Sequence, residues 1–167
     1  MSELKNAYFA SGCFWCITPT FQERAGVRKV TSGYCGGLEE NPTYQDVKAQ
    51  KTGHRETVMV TYNPEKISYR ELVDIFLANV DPFDGGGQFI DRGFSYTLAA
   101  YYETVEELQI LKSSIRALAS ASGKQPQIAL EPFVRFWPAE EYHQDYYKKH
   151  PAEFRQELIE SGRIRLN

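Results

Sequence analysis

The strand-like run Asn6-Ala7-Tyr8-Phe9-Ala10 passes through Ser11-Gly12 directly into a segment whose apolar positions, Ile17 and Phe21, recur at helical spacing. A strand that turns into a helix with no linker leaves the junction residues at the helix N-terminus. Here the junction is Gly12-Cys13-Phe14-Trp15-Cys16, a thiol beside two large aromatics. Backbone N–H groups and the positive end of the macrodipole favour an anion at such a position, so the Cys13 thiol is expected to ionise below the range of a free cysteine.

The rest of the chain bounds what this junction serves. At 167 residues, 42% hydrophobic and 14% aromatic, the protein has material for one ordinary core, and a single domain over residues 1–167 is expected. A net charge of −3 with no stretch dense in Lys or Arg lacks the footprint of a nucleic-acid or anionic-membrane partner. The N-terminus has no apolar core of the kind a signal peptide carries, and no apolar run is long enough to span a bilayer, so a cytoplasmic location is expected. Three cysteines form no structural disulfide framework there; reactive, metal-bound or incidental thiols are the remaining readings.

Further along, residues 26–34 have strand composition and close on Gly36-Gly37, a turn signal, followed by a long loop through Asn41-Pro42-Thr43-Tyr44. Residues 54–62 alternate with period two, which puts Glu56, Val58, Val60 and Tyr62 on one strand face, a carboxylate heading an apolar row. Ser68 and Glu71 form a capping box for an amphipathic helix through Leu72, Ile75, Phe76 and Val80. Asp81-Pro82 stops that helix and opens a loop to Gly93. A strand is expected over 94–102, a helix from about 104 to 120, a strand over 128–133, and two short helices around 140–147 and 152–160. Strands with helices interspersed, and no repeated βαβ unit carrying a glycine fingerprint, argue for an α+β domain.

Cys13 and Cys16 form a Cys-x-x-Cys pair, a spacing that suits a redox disulfide or half of a zinc site. Zinc would need further ligands, for which Cys35, His54, His143 and His150 are the available residues, yet none of them forms a second close pair.

Taken together, Gly12-Cys13-Phe14-Trp15, Gly33-Tyr34 with Gly36-Gly37, Asn41-Pro42-Thr43-Tyr44, Thr52-Gly53-His54-Arg55-Glu56, Asp81-Pro82, Gln88 with Asp91 and Gly93, Tyr96, and Glu141-Tyr142-His143-Gln144-Asp145-Tyr146 resemble the type A peptide methionine sulfoxide reductases, in family order over most of the chain. The resemblance implies a ferredoxin-like mixed sheet with flanking helices. It also implies thiol-dependent reduction of methionine-S-sulfoxide, free or in proteins, with neither metal nor organic cofactor and with thioredoxin as reductant. Carried over residue by residue, Cys13 would be the nucleophile and Glu56 the acid that protonates the sulfoxide oxygen. Tyr44 and Tyr96 would hydrogen-bond that oxygen, Phe14 and Trp15 would wall the substrate's S-methyl group, and Asp91 would orient neighbours. His54 reads as structural.

The chain also departs from the family pattern. Position 16 is usually glycine and position 35 often a small residue, but both are cysteine here; Thr18 and Ser95 stand where Glu and Gln are common. No cysteine follows Lys148, where many members carry resolving thiols. The sulfenic acid left on Cys13 would then condense with Cys16, the nearer in sequence, or with Cys35, or be reduced directly by an external thiol. Two other readings of the same residues are a general thiol-disulfide oxidoreductase using Cys13 and Cys16, and a sulfoxide- or zinc-binding module without turnover.

Overall fold

The computed structural model describes residues 3–160. In chain order its elements are β1 (Lys5–Ser11), α1 (Phe14–Gln22), β2 (Val27–Cys35), α2 (Tyr44–Lys48), β3 (Arg55–Tyr62), α3 (Tyr69–Ala78), β4 (Gly87–Gln88) and β5 (Asp91–Arg92). They continue with β6 (Leu98–Tyr102), α4 (Val105–Ser122), β7 (Ile128–Pro132), β8 (Phe136–Pro138), α5 (Tyr146–Lys149) and α6 (Pro151–Glu160). Six strands form one mixed sheet in the order β7-β6-β1-β3-β2-β8.

The central four strands carry the ferredoxin-like arrangement. β3 is antiparallel to both β1 and β2, β6 is antiparallel to β1, and the split crossovers run through α1 and α3. β7 extends the sheet in parallel beside β6, and β8 adds an antiparallel edge to β2. Among the described residues no helix is long and apolar enough to cross a membrane.

Period-two alternation decides what each face holds. Phe9 pairs with Val58 and Ala7 with Val60, and these side chains point to the helix side. There Phe9 stacks on Phe21 of α1 at 5.5 Å and on Phe76 of α3 at 5.0 Å between ring centroids. Each ring buried this way contributes roughly 1.5–3 kcal/mol by removal from water. The opposite face holds a smaller cluster of Tyr8, Ala10, Cys35, Ala99 and Tyr101, covered by Phe133, which stacks on Tyr8 at 3.9 Å.

Local chemistry sets the helix starts. Ser68 Oγ accepts the N–H of Glu71 and Thr104 Oγ1 that of Glu107, as capping residues do. Several segments differ from the sequence expectation, one being the loop expected from Asp81 to Gly93, within which β4 and β5 pair as a short antiparallel hairpin. The loop expected through Tyr44 gives way to the short α2, because Thr43 Oγ1 accepts the Asp46 N–H and caps it. The strand expected over 94–102 begins only at Leu98: Gly93, at φ 117°, turns the chain into a single 3₁₀ turn over Phe94–Tyr96. β8, three residues ending in proline, is too short to show alternation in sequence.

Candidate active site

The site forms where β1, β2 and β3 deliver residues to the start of α1. Cys13 is the N-cap of α1, in extended conformation at φ −60° and ψ 120°, and Gly12 before it takes φ 86°, a left-handed turn that glycine makes without strain. The helix therefore starts immediately behind the thiol. Glu56 lies on β3 opposite Tyr34 of β2, on the helix side of the sheet. It is 1% exposed, and its Oε1 accepts the backbone N–H of Phe14 at 3.2 Å. Its buried Oε2 makes no hydrogen bond of ordinary length to the described residues.

Burial is the main cause that pushes the Glu56 carboxyl up to about 8; the Phe14 N–H opposes this, and the charge of Asp91 adds to it. The Tyr96 hydroxyl, close by, favours the ionised form by a smaller amount. At neutral pH the protein thus keeps a carboxylic acid protonated beside a thiol.

Cys13 itself behaves differently from the sequence expectation of a lowered pKa. A hydrogen bond with Cys16, then burial, then the nearby charges of Cys16 and Glu56 hold the thiol well above its ordinary range. The helix N-terminus is present, but Cys13 is 5% exposed, and an ion there loses more hydration than the dipole returns.

Tyr44 and Tyr96 come from α2 and the 3₁₀ turn. Burial, and after it the charge of Glu56, holds both phenols above their usual range, so each remains an O–H donor. Phe14 and Trp15 form an aromatic wall with Tyr44, at 6.3 and 6.0 Å between centroids. Asp91, on β5, is half-buried and acts on both Glu56 and Tyr96 through its charge.

Several supporting residues have no role assigned to them in the reductase reading of the sequence. Glu140 accepts the Tyr34 hydroxyl at 2.8 Å with one oxygen and the Tyr44 backbone N–H at 3.1 Å with the other, tying α2 to the sheet. The Trp15 indole N–H donates to His143 Nδ1 at 3.0 Å, and burial depresses the His143 pKa to about 4, so the ring is a neutral acceptor. Gln144 gives Ser32 both of its amide groups, at 2.9 and 3.0 Å, in the manner of a strand. Gln50 clamps the 3₁₀ turn: it accepts the Ser95 N–H at 3.0 Å and donates to Ser95 Oγ at 2.7 Å. The resemblance motif contained His143 and Gln144, but no periodicity distinguishes Glu140 or Gln50.

The two departures at Thr18 and Ser95 have local partners: Thr18 Oγ1 bonds the Phe14 carbonyl at 2.7 Å, and Ser95 is the residue Gln50 holds. The remaining cysteines separate. Cys16 lies one turn after Cys13, and their sulfurs are within 4.8 Å. Cys35 pairs with Arg55 on the opposite face of the sheet, donates to the Arg135 carbonyl at 3.2 Å, and is pushed up to about 12 by burial. His54 is held by the Gly37 N–H at Nδ1, 3.2 Å, and by the Glu39 carbonyl at Nε2, 2.8 Å, away from the thiol.

A ferredoxin-like α+β fold with a thiol at a strand-helix junction, a protonated buried acid and two phenols defines an enzyme of sulfur redox chemistry. The sequence profile described as "Peptide methionine sulfoxide reductase" matches residues 5–166. The chain is 45% identical to the peptide methionine sulfoxide reductase MsrA of Bacillus licheniformis over 94% of its own length and 88% of that protein's. Among solved structures, it resembles Mxr1 from Saccharomyces cerevisiae in reduced form at TM-score 0.85 and 28% identity, covering 90% of this chain and 87% of that one. It likewise resembles methionine sulfoxide reductase A of Corynebacterium diphtheriae at TM-score 0.80 and 29% identity, covering 89% of this chain and 76% of that one. The chain belongs to the peptide methionine sulfoxide reductase family and is a thiol-dependent methionine sulfoxide reductase.

Proposed function

We propose that Cys13 is the nucleophile, that Glu56 is the proton donor, and that the substrate is the S epimer of methionine sulfoxide, free or in oxidised proteins. One observation carries this reading: the buried acid, its pKa pushed to about 8, is bonded to the N–H of the residue that follows Cys13. A sulfoxide oxygen leaves only if it is protonated as the S–O bond weakens. Glu56 supplies that proton, while the Tyr44 and Tyr96 hydroxyls hold the oxygen. The sulfoxide sulfur then becomes electron-poor, and its positive charge favours loss of the Cys13 proton at the moment of attack. Activation of the thiol thus belongs to the complex rather than to the resting protein.

The balance of the step is one sulfoxide and one thiol giving one thioether and one sulfenic acid, with oxygen moving to Cys13. Cys16 then attacks the sulfenic sulfur, a disulfide forms and water leaves. A dithiol reductant of the thioredoxin type restores both thiols by exchange. Phe14 and Trp15 take the S-methyl group, so only one epimer presents methyl, oxygen and lone pair to their respective sites. Six of the eight described strands share one sheet, with β4 and β5 paired as a separate small hairpin, which supports reading the chain as a single reductase domain; its place of action is the cytoplasm.

The test is turnover of separated S and R epimers of a blocked methionine sulfoxide with dithiothreitol, for wild type, Cys13→Ser and Glu56→Gln. Turnover confined to the S epimer, abolished by the first change and reduced about 10²–10⁴-fold by the second, is expected. Full activity in either variant would sink the assignment.

A further inference from the structure

Cys13 Sγ, Cys16 Sγ and a carboxylate oxygen of Glu157 all lie within 4.8 Å of one another. The first two come from the start of α1 and the third from α6, which packs against α1 near the C-terminal end of the described chain. Of the ligands open to a zinc site on sequence grounds, Cys35 lies across the sheet, His54 is engaged by Gly37 and Glu39, and His143 is engaged by Trp15. Glu157 is the donor that tertiary packing adds.

We propose that Cys13, Cys16 and Glu157 form a binding site for a thiophilic divalent cation, zinc in particular, that reversibly silences the reductase. Two thiolate sulfurs and one carboxylate oxygen, with water as the fourth ligand, match a tetrahedral three-ligand zinc site. Sulfur and oxygen donors around such an ion lie about 3.5–3.8 Å apart, so the three groups need only close inward. Soft sulfur ligands select zinc over magnesium or calcium. Binding is balanced by release of the two thiol protons, one from each cysteine, and therefore strengthens as pH rises. Of the three ligands Cys16 borders a cavity of about 440 Å³ beside α6, lined also by Ile17, Phe154 and Leu158.

The site is inhibitory because the ion ties up the thiol that would attack substrate. That half of the inference rests on Cys13 being the nucleophile; the binding half does not. The closing experiment therefore reads binding first. Reduced protein is titrated with cobalt(II), watching sulfur-to-cobalt charge-transfer absorption, and zinc affinity is measured by competition with a chromogenic chelator. One equivalent per chain is expected, with none bound by the Cys13–Cys16 disulfide form. Cys16→Ser should lose thiolate absorption, and Glu157→Gln should weaken zinc at least about tenfold, the low end for loss of a supporting ligand contact. Glu157 is half-buried on a surface helix, so its variant keeps the fold, which a melting curve verifies. No charge-transfer band at stoichiometric cobalt, or unchanged zinc affinity in Glu157→Gln, overturns the site. Zinc binding without loss of turnover overturns the inhibition.

Discussion

The carboxyl of Glu56 accepts the backbone N–H of Phe14 at 3.2 Å, which ties the acid on β3 to the first residue of the helix that Cys13 caps. A strand residue and a helix terminus 42 positions apart in sequence thereby become one unit, and the acid's position relative to the thiol is set by backbone rather than by a flexible side chain.

Since burial holds Glu56 protonated up to about pH 8, kcat/KM should be level through neutral pH and fall as pH rises through about 8. A pH–rate profile on a blocked methionine sulfoxide checks this. In Glu56→Gln, which has no proton to lose, the residual activity should lack that falling limb.

The same shift acts on stability. Folding raises the Glu56 pKa from 4.5 to about 8, so between these values the unfolded chain gives up its proton while the native chain keeps it. The contribution is fully present below pH 4.5 and is lost as pH rises toward about 8. Urea unfolding of Glu56→Gln should therefore show a gain over wild type that grows from mildly acidic pH to about pH 8, reaching on the order of 2–4 kcal/mol. A difference independent of pH would contradict the assignment.

Recycling should run through Cys16. One equivalent of methionine-S-sulfoxide added to reduced protein is expected to leave a Cys13–Cys16 disulfide on peptide mapping, since a gap of at most 4.8 Å closes with a modest opening of the first helical turn. Cys35→Ser should leave that pattern intact, because Cys35 lies across the sheet and is held to the Arg135 carbonyl. Cys16→Ser should accumulate sulfenic acid that a dimedone-type probe traps. A Cys13–Cys35 disulfide would reverse this order.

Gln50 sits far from the thiol in sequence but holds the turn that presents Tyr96 through two hydrogen bonds to Ser95. Gln50→Ala should cost about 1–2 kcal/mol of stability. It should also lower kcat roughly tenfold while KM changes little, as when a donor to the reacting oxygen is misplaced. Steady-state kinetics together with a melting curve separates the two effects.

Short-range rules were readable from the chain. The junction at Gly12-Cys13, the apolar row headed by Glu56, and the cap at Ser68 all lie where periodicity and capping chemistry place them. Phe94-Ser95-Tyr96 has strand composition, but Gly93 turns the chain there and the glutamine that holds the turn lies 45 positions earlier. Glu140 carries no local signal at all, yet its two oxygens join β2 to α2 across about a hundred residues.

By itself the sequence determined the longer strands and helices, the placement of a thiol at a helix start and the membership of a reductase family, because hydrophobic period, capping and motif spacing are properties of neighbours along the chain. Tertiary structure alone decided the ionisation of the thiol, the partner nearest to it and the side of the sheet on which each cysteine lies. Those depend on which groups meet, on what burial removes from water and on which distant segments pack together: the hydrogen bond with Cys16, and after it desolvation, hold the Cys13 proton in place against the helix dipole, and α6 brings Glu157 to the sulfurs while the pleat of β2 turns Cys35 away.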